Sequence, residues 1–201
     1  GDEGAEWNIE RIAVEVRAEQ GELSAQYELG SDYLSSKKGM RQKDYFSARK
    51  WISLAAKQDD ADSAYLLFII LSPTSQGTDT PYDDEAGDFG EVGKREANAS
   101  AALKWLKKSA ELGSPEGQMA LGFTYKKGGI VSEDKVRALM WFLVAAQNEN
   151  QMRTGGYFHH TYSMNHAWFL TDSKKEKISN SKIKKAKKMA QKCIRNDWVG
   201  C

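Results

Sequence analysis

The stretch that decides the fold runs from Gly117-Gln118-Met119-Ala120-Leu121-Gly122-Phe123-Thr124-Tyr125, through Gly128-Gly129 and Asp134, to Ala138-Leu139-Met140-Trp141-Phe142-Leu143-Val144-Ala145-Ala146. In its second half, Trp141 has Ala138 three residues before it and the small pair Ala145-Ala146 after it. That spacing sets one large ring among small side chains on one helical face, so a neighbouring helix can come close. Asp134 stands seven residues before the Trp, where it caps or charges the first turn of the helix. The first half carries a glycine, Gly122, in mid-helix. Glycine there costs roughly 1 kcal/mol against alanine, so its presence predicts a close helix crossing. The stretch therefore predicts two helices, A and then B, joined through a glycine turn.

Working outward, the same pattern recurs. The B element reappears at Ala48-Arg49-Lys50-Trp51 with Ala55-Ala56, and at Ala102-Leu103-Lys104-Trp105 with Ser109-Ala110. Asp44 and Asn98 stand seven residues before their tryptophans. The A element reappears at Ala25-Gln26-Tyr27-Glu28-Leu29-Gly30-Ser31-Asp32-Tyr33. It recurs more loosely at Ser63-Ala64-Tyr65-Leu66-Leu67-Phe68-Ile69-Ile70-Leu71, where Phe68 replaces the glycine and predicts a wider or tilted pair. Trp105 to Trp141 is 36 residues and Leu29 to Leu67 is 38, periods that belong to helix-pair solenoids. Trp51 to Trp105 is 54, so the middle unit carries an insertion over about 72–94, rich in Gly, Pro, Thr and Asp. Gly21 and Gly113 stand where left-handed C-caps are expected, and Gly39 falls between an A and a B helix.

The ends predict caps. Residues 5–20 form an amphipathic helix with Trp7, Ile12 and Val16 expected inward. A helix from Tyr157 to about Leu170 follows the repeats. Ser179 then opens a last helix whose inner face is Ile183, Ala186, Met189, Ala190 and Cys193, with lysines outside. The expected organisation is one domain over 1–201: a cap at 1–21, repeats at 22–60, 61–114 and 115–150, and capping helices at 151–201. The fold class is all-α, a right-handed alpha-alpha superhelix.

The composition suits a folded chain. At 40% hydrophobic and 28% charged residues it has enough apolar surface for a core, which argues against global disorder. A net charge of +1 points to neither nucleic acid nor a membrane surface. The charge is unevenly placed: the start is acidic and the stretch from Lys174 to Lys192 is lysine-rich, which is expected of solvated helix faces. No apolar run reaches the length of a membrane span. The two cysteines, Cys193 and Cys201, lie where a helix ending near Arg195 can turn back and close a small disulfide loop.

Ala-Gln-Tyr-x-Leu-Gly-x-x-Tyr, a glycine loop, Asp, and Ala-x-x-Trp-x-x-x-Ala-Ala together resemble the Sel-one-like repeat (SLR) family, a branch of the tetratricopeptide-like solenoids. The resemblance is close over residues 20–150. The ending, with Ile183, Ala186, Met189, Ala190 and Cys193 before Gly200-Cys201, is similar to the closing helix of short bacterial members. It implies protein–protein interaction, often as an adaptor in signalling or envelope processes. A periplasmic or secreted placement follows from that ending and the cysteine pair, with the cytoplasm as alternative. The Gly1 start is compatible with removal of a signal peptide.

No catalytic constellation emerges. His159, His160 and His166 share one segment, but no nearby Cys or acidic partner completes a zinc pattern. Asp79, Asp83, Asp84, Glu85, Asp88 and Glu91 lack the EF-hand spacing and suit a solvated loop. The expectations are no enzyme activity, no cofactor and no metal. The lysine-rich last helix lacks the interleaved aromatics that single-strand nucleic acid binding wants. The expected partner is a protein or peptide held on the concave A-helix wall. Its expected contacts are Tyr27, Tyr65 and Met119 in one repeat row, Ser31, Ile69 and Phe123 in a second, and Tyr82 and Phe89 in the inserted loop. Inter-repeat packing competes for each of these side chains. The B-helix tryptophans are expected in the core. Alternatives are an immunity-type inhibitor of a toxic partner and an enzyme or small-ligand receptor such as a penicillin-handling protein. That last alternative fits poorly, because the relatives concerned carry a cysteine pair per repeat. The expected state is a monomer or weak homo-oligomer.

Overall fold

A computed structural model of the chain describes residues 3–35, 44–72, 98–148, 157–172 and 176–201, with side chains described there except at 3–9, 35, 45 and 157–162. The described residues form helices α1 (Glu3–Glu19), α2 (Leu23–Ser35), α3 (Tyr45–Lys57), α4 (Ala61–Leu71), α5 (Ala99–Glu111), α6 (Pro115–Lys127), α7 (Lys135–Gln147), α8 (Tyr157–Thr171) and α9 (Asn180–Arg195), with no strand among them. The inserted loop, including Tyr82 and Phe89, lies outside the described residues, as do Gly39 and the side chains of Trp7, His159 and His160.

The helices pack serially. α2 pairs with α3, α4 with α5 and α6 with α7; each B helix also touches the following A helix, and α7 carries both α8 and α9. Contacts mostly between helices adjacent or next-but-one in sequence define an all-α helical-repeat solenoid.

Local chemistry explains the boundaries. The Asp44 carboxylate accepts from the Phe46 and Ser47 N–H groups at 3.1 Å, Asn98 from Ala101 at 3.0 Å, and Asp134 from Val136 and Arg137 at 2.9 and 3.0 Å. Each B helix thus starts where its side chain satisfies an otherwise orphaned donor. Asp60 and Ser114 do the same for α4 and α6 at 2.7 and 3.2 Å. Gly21 and Gly113 take φ of +92° and +87°, a left-handed turn that glycine enters without steric cost.

The mid-helix glycines mark the A/B crossings. A Cβ on Gly30 would lie 2.6 Å from Ile52 Cδ1, and one on Gly122 would lie 2.7 Å from Phe142 Cε1. The missing side chain admits a knob from the paired helix. In the middle unit Phe68 occupies the equivalent place and is buried together with Leu106.

A buried polar ladder ties the start of an A helix to the end of its B helix. Gln118 Nε2 donates to the Ala110 carbonyl at 3.2 Å, while Asn148 Nδ2 donates to Gln118 Oε1 at 2.9 Å and to the Gly113 carbonyl at 2.8 Å. The first unit repeats this arrangement with Gln26 to Ala18, and Gln58 to Gln26 and Gly21. The middle unit has Ala64 at the glutamine position. There Ser109 Oγ donates to the Ala61 carbonyl at 2.8 Å, and Lys108 pairs with Asp59 at 2.6 Å. For the buried members, Gln26, Ser109, Gln118 and Asn148, internal partners remove the penalty of burial.

Two expectations are corrected. Ile12 and Val16 point outward, 58% and 46% exposed, because α1 turns its Val14 and Ala18 face to the first unit. The small Ala18 lets α2 approach, and Arg11 donates to the Tyr33 hydroxyl at 2.8 Å, which holds that orientation. Trp105 is only partly buried, whereas Trp51 and Trp141 are core. Trp105 packs against the main core, with the Lys108 ammonium 5.3 Å from its ring centroid.

Candidate functional site: the A-helix surface

The repeat-equivalent side chains of the A helices hold the same helical positions but differ in exposure. Tyr27 and Ser31 on α2 are half-buried, and so is Ile69 on α4. Tyr65 is 7% exposed, and Met119 and Phe123 are 1% exposed. The rows are therefore not uniformly accessible: Tyr65, Met119 and Phe123, expected as partner contacts, are instead consumed by packing in the core. At Phe123 the cause is visible. The His166 ring of α8 meets it edge-on at 4.6 Å and also lies 5.5 Å from Phe142. The histidine is thus part of the aromatic wall where α8 covers the third unit.

Leu66, which motif matching passes over, is half-buried on α4. It lies three residues before Ile69, on the same helical face. The half-buried positions are thus Tyr27 and Ser31 on α2 and Leu66 and Ile69 on α4. Each of Tyr27, Leu66 and Ile69 packs one side against the main core and leaves the rest uncovered.

Carboxylates border this wall at the helix starts. Asp62 and Glu116 hold the same position of consecutive A helices. Partial desolvation of the Asp62 carboxyl, on a residue otherwise exposed, then the nearby charges of Glu116 and Asp60, push it up from the ordinary 3.8 to about 6. A carboxyl that binds its proton more tightly folded than unfolded favours the folded state at low pH. That contribution is lost as pH rises from about 4 through about 6. Asp62→Asn is accordingly expected to leave stability unchanged near pH 4 and to raise it progressively toward pH 7. Urea midpoints of both proteins across that range test this. A difference that does not grow with pH contradicts the reading.

At the carboxyl end, Cys193 and Cys201 are joined in a disulfide with their Cα atoms 5.3 Å apart. The short loop they close sets the Trp198 ring against Gly113, in the turn between α5 and α6. No helix among the described residues is long and apolar enough to cross a membrane.

Comparison with known proteins accords with this architecture. The family model described as Sel1 repeat matches residues 23–60, 85–114 and 115–150. No curated protein matches the chain. Among solved structures, a Sel1 repeat protein from Oxalobacter formigenes superposes with a TM-score of 0.53 at 21% identity, over 90% of this chain and 44% of that one. A protective antigen of uropathogenic Escherichia coli displaying an SLR fold, c5321, gives a TM-score of 0.39 at 23% identity, over 90% of this chain and 40% of that one. The chain thus spans less than half the length of these two structures. Sel1 repeats are in general protein–protein interaction modules, and the fold is typically a scaffold without enzymatic activity. With three matched repeats spanning more than half its length, the chain belongs to the Sel1 repeat family.

Proposed function

We propose that this protein is an adaptor of a bacterial envelope or secreted system that holds a protein or peptide on the A-helix wall around Tyr27, Ser31, Leu66 and Ile69. The observation that carries the proposal is that these four side chains are half-buried while the equivalent positions of the third unit, Met119 and Phe123, are sealed. Side chains anchored in the core with one face uncovered are preorganised for contact and lose little conformational freedom on binding. The disulfide is compatible with an oxidising compartment, which suits a periplasmic or secreted placement.

Capture of partners by the purified protein from envelope and secreted fractions, followed by quantitative mass spectrometry, tests this. Ile69→Asp puts a charge in the middle of the wall and is expected to weaken capture of the recovered partner about tenfold or more. Phe46→Asp alters an equally apolar side chain, 75% exposed on α3, and is expected to leave capture unchanged. Equal loss in both variants, or in neither, removes the A-helix wall as the binding surface.

A further inference from the structure

Among the described residues, every exposed large apolar side chain except Phe46 lies on α1 or beyond residue 163. Ile12 and Val16 are four residues apart and form one outward stripe on α1. Met164 and Trp168 are likewise four apart on α8, 44% and 53% exposed, and Phe169 stacks edge-on against Trp168 at 5.2 Å. Between them, the third unit has its large apolar side chains covered by neighbouring helices, as at Met119 and Phe123.

The two ends also carry opposite charge. α1 has five glutamates and two arginines; Arg11 pairs with Glu15 at 3.0 Å and Arg17 with Glu22 at 3.1 Å, while Glu10 and Glu19 are exposed. α9 has six lysines and Arg195 with no acidic residue, and its lysines are exposed. α8 and α9 both pack on α7, so the aromatic face and the lysine face belong to the same end of the array.

We propose that this chain associates head to tail with a second copy of itself. The Ile12–Val16 stripe of one copy meets Met164, Trp168 and Phe169 of the next, and Glu10 and Glu19 of α1 face the α9 lysines. Charge selects this pairing over its symmetric rivals. Two α1 helices brought together would set glutamates against glutamates, and two α9 helices would set lysines against lysines. The contact uses different surfaces on the two copies, so it is open-ended and can propagate.

Sedimentation of the purified chain over a range of concentrations tests the proposal. The expected result is an average mass that rises above the monomer with concentration at low ionic strength. The apparent affinity is expected to fall about tenfold or more at high salt, as the complementary charges are screened. Ile12→Glu and Trp168→Glu are each expected to remain monomeric alone. Each keeps one intact end, so an equimolar mixture is expected to form dimers that stop at two copies. A wild-type chain that stays monomeric at low salt overturns the proposal, and so does a mixture of folded variants that fails to dimerise. Should Trp168→Glu lose helicity by circular dichroism, charge reversal replaces it. Glu10→Lys with Glu19→Lys is then mixed with Lys184→Glu with Lys188→Glu: each is expected to stay monomeric alone, and the mixture, in which both unlike contacts are complementary, to associate as alternating copies, while a mixture that stays monomeric overturns the proposal.

Discussion

Trp141→Ala is expected to destabilise the protein by about 3–5 kcal/mol, the usual cost of removing a fully packed large aromatic side chain. Trp141 is 3% exposed within the main apolar cluster, which joins the second and third units to α8 and α9. Its flanking alanines, Ala138 and Ala145, are fully buried and cannot refill the volume. A solenoid draws much of its stability from interfaces between neighbours, so a void at α7 also weakens the seats of α8 and α9. Trp105→Ala is expected to cost distinctly less, because that ring is only partly buried. Urea unfolding followed by far-ultraviolet circular dichroism measures both. Equal losses at the two positions would show that repeat position, and not burial, sets the cost.

Cys201→Ser is expected to cost about 2.5 kcal/mol, the loop-closure entropy for a link across a separation of eight residues. Cys201 is the cleaner choice because Cys193 is only 3% exposed, and a serine there would bury a hydroxyl. The tail it constrains is held in an unfavourable backbone conformation: Asp197 and Trp198 have φ of +47° and +65°. Residues other than glycine pay about 1 kcal/mol or more for that region, a cost that the link helps to offset. Once it is cut, Trp198 is expected to leave Gly113, and the Trp198 N–H to lose its 3.0 Å bond to the Cys193 carbonyl. Hydrogen exchange at the Trp198 amide and a shift in tryptophan emission report the release. Gly113→Ala in the disulfide-bonded protein provides the complement, since its Cβ would overlap the Trp198 ring at a position with φ of +87°. An unchanged urea midpoint in Cys201→Ser would mean that the tail is held by packing alone.

Together these two results separate a core that reaches through the repeats from a latch that closes their carboxyl end. The latch matters for function because α9 brings the lysines to that end, where the next copy is proposed to dock.

What was legible in the amino-acid sequence is what depends on neighbours within one or two helical turns. Asp44, Asn98 and Asp134 cap their helices because a cap bonds to N–H groups two or three residues away. Gly30 and Gly122 mark close crossings because only the absence of a Cβ explains a glycine retained in mid-helix. The recurrence of these signals at a helix-pair period determined the solenoid by itself. What only the tertiary structure decided is which of two similar faces is covered. The 3.6-residue period groups Ile12 with Val16 as readily as Val14 with Ala18, and the choice fell to the fit of Ala18 against α2. Met119 and Phe123 share a repeat position with Tyr27 and Ser31, yet they are sealed while Tyr27 and Ser31 stay half-open. The cover over Phe123 comes from His166, far along the chain. Trp198 finds Gly113 in the same way, through a contact that no local pattern encodes. Periodicity specifies which side chains share a face; only packing between segments distant in sequence settles which faces are left for a partner.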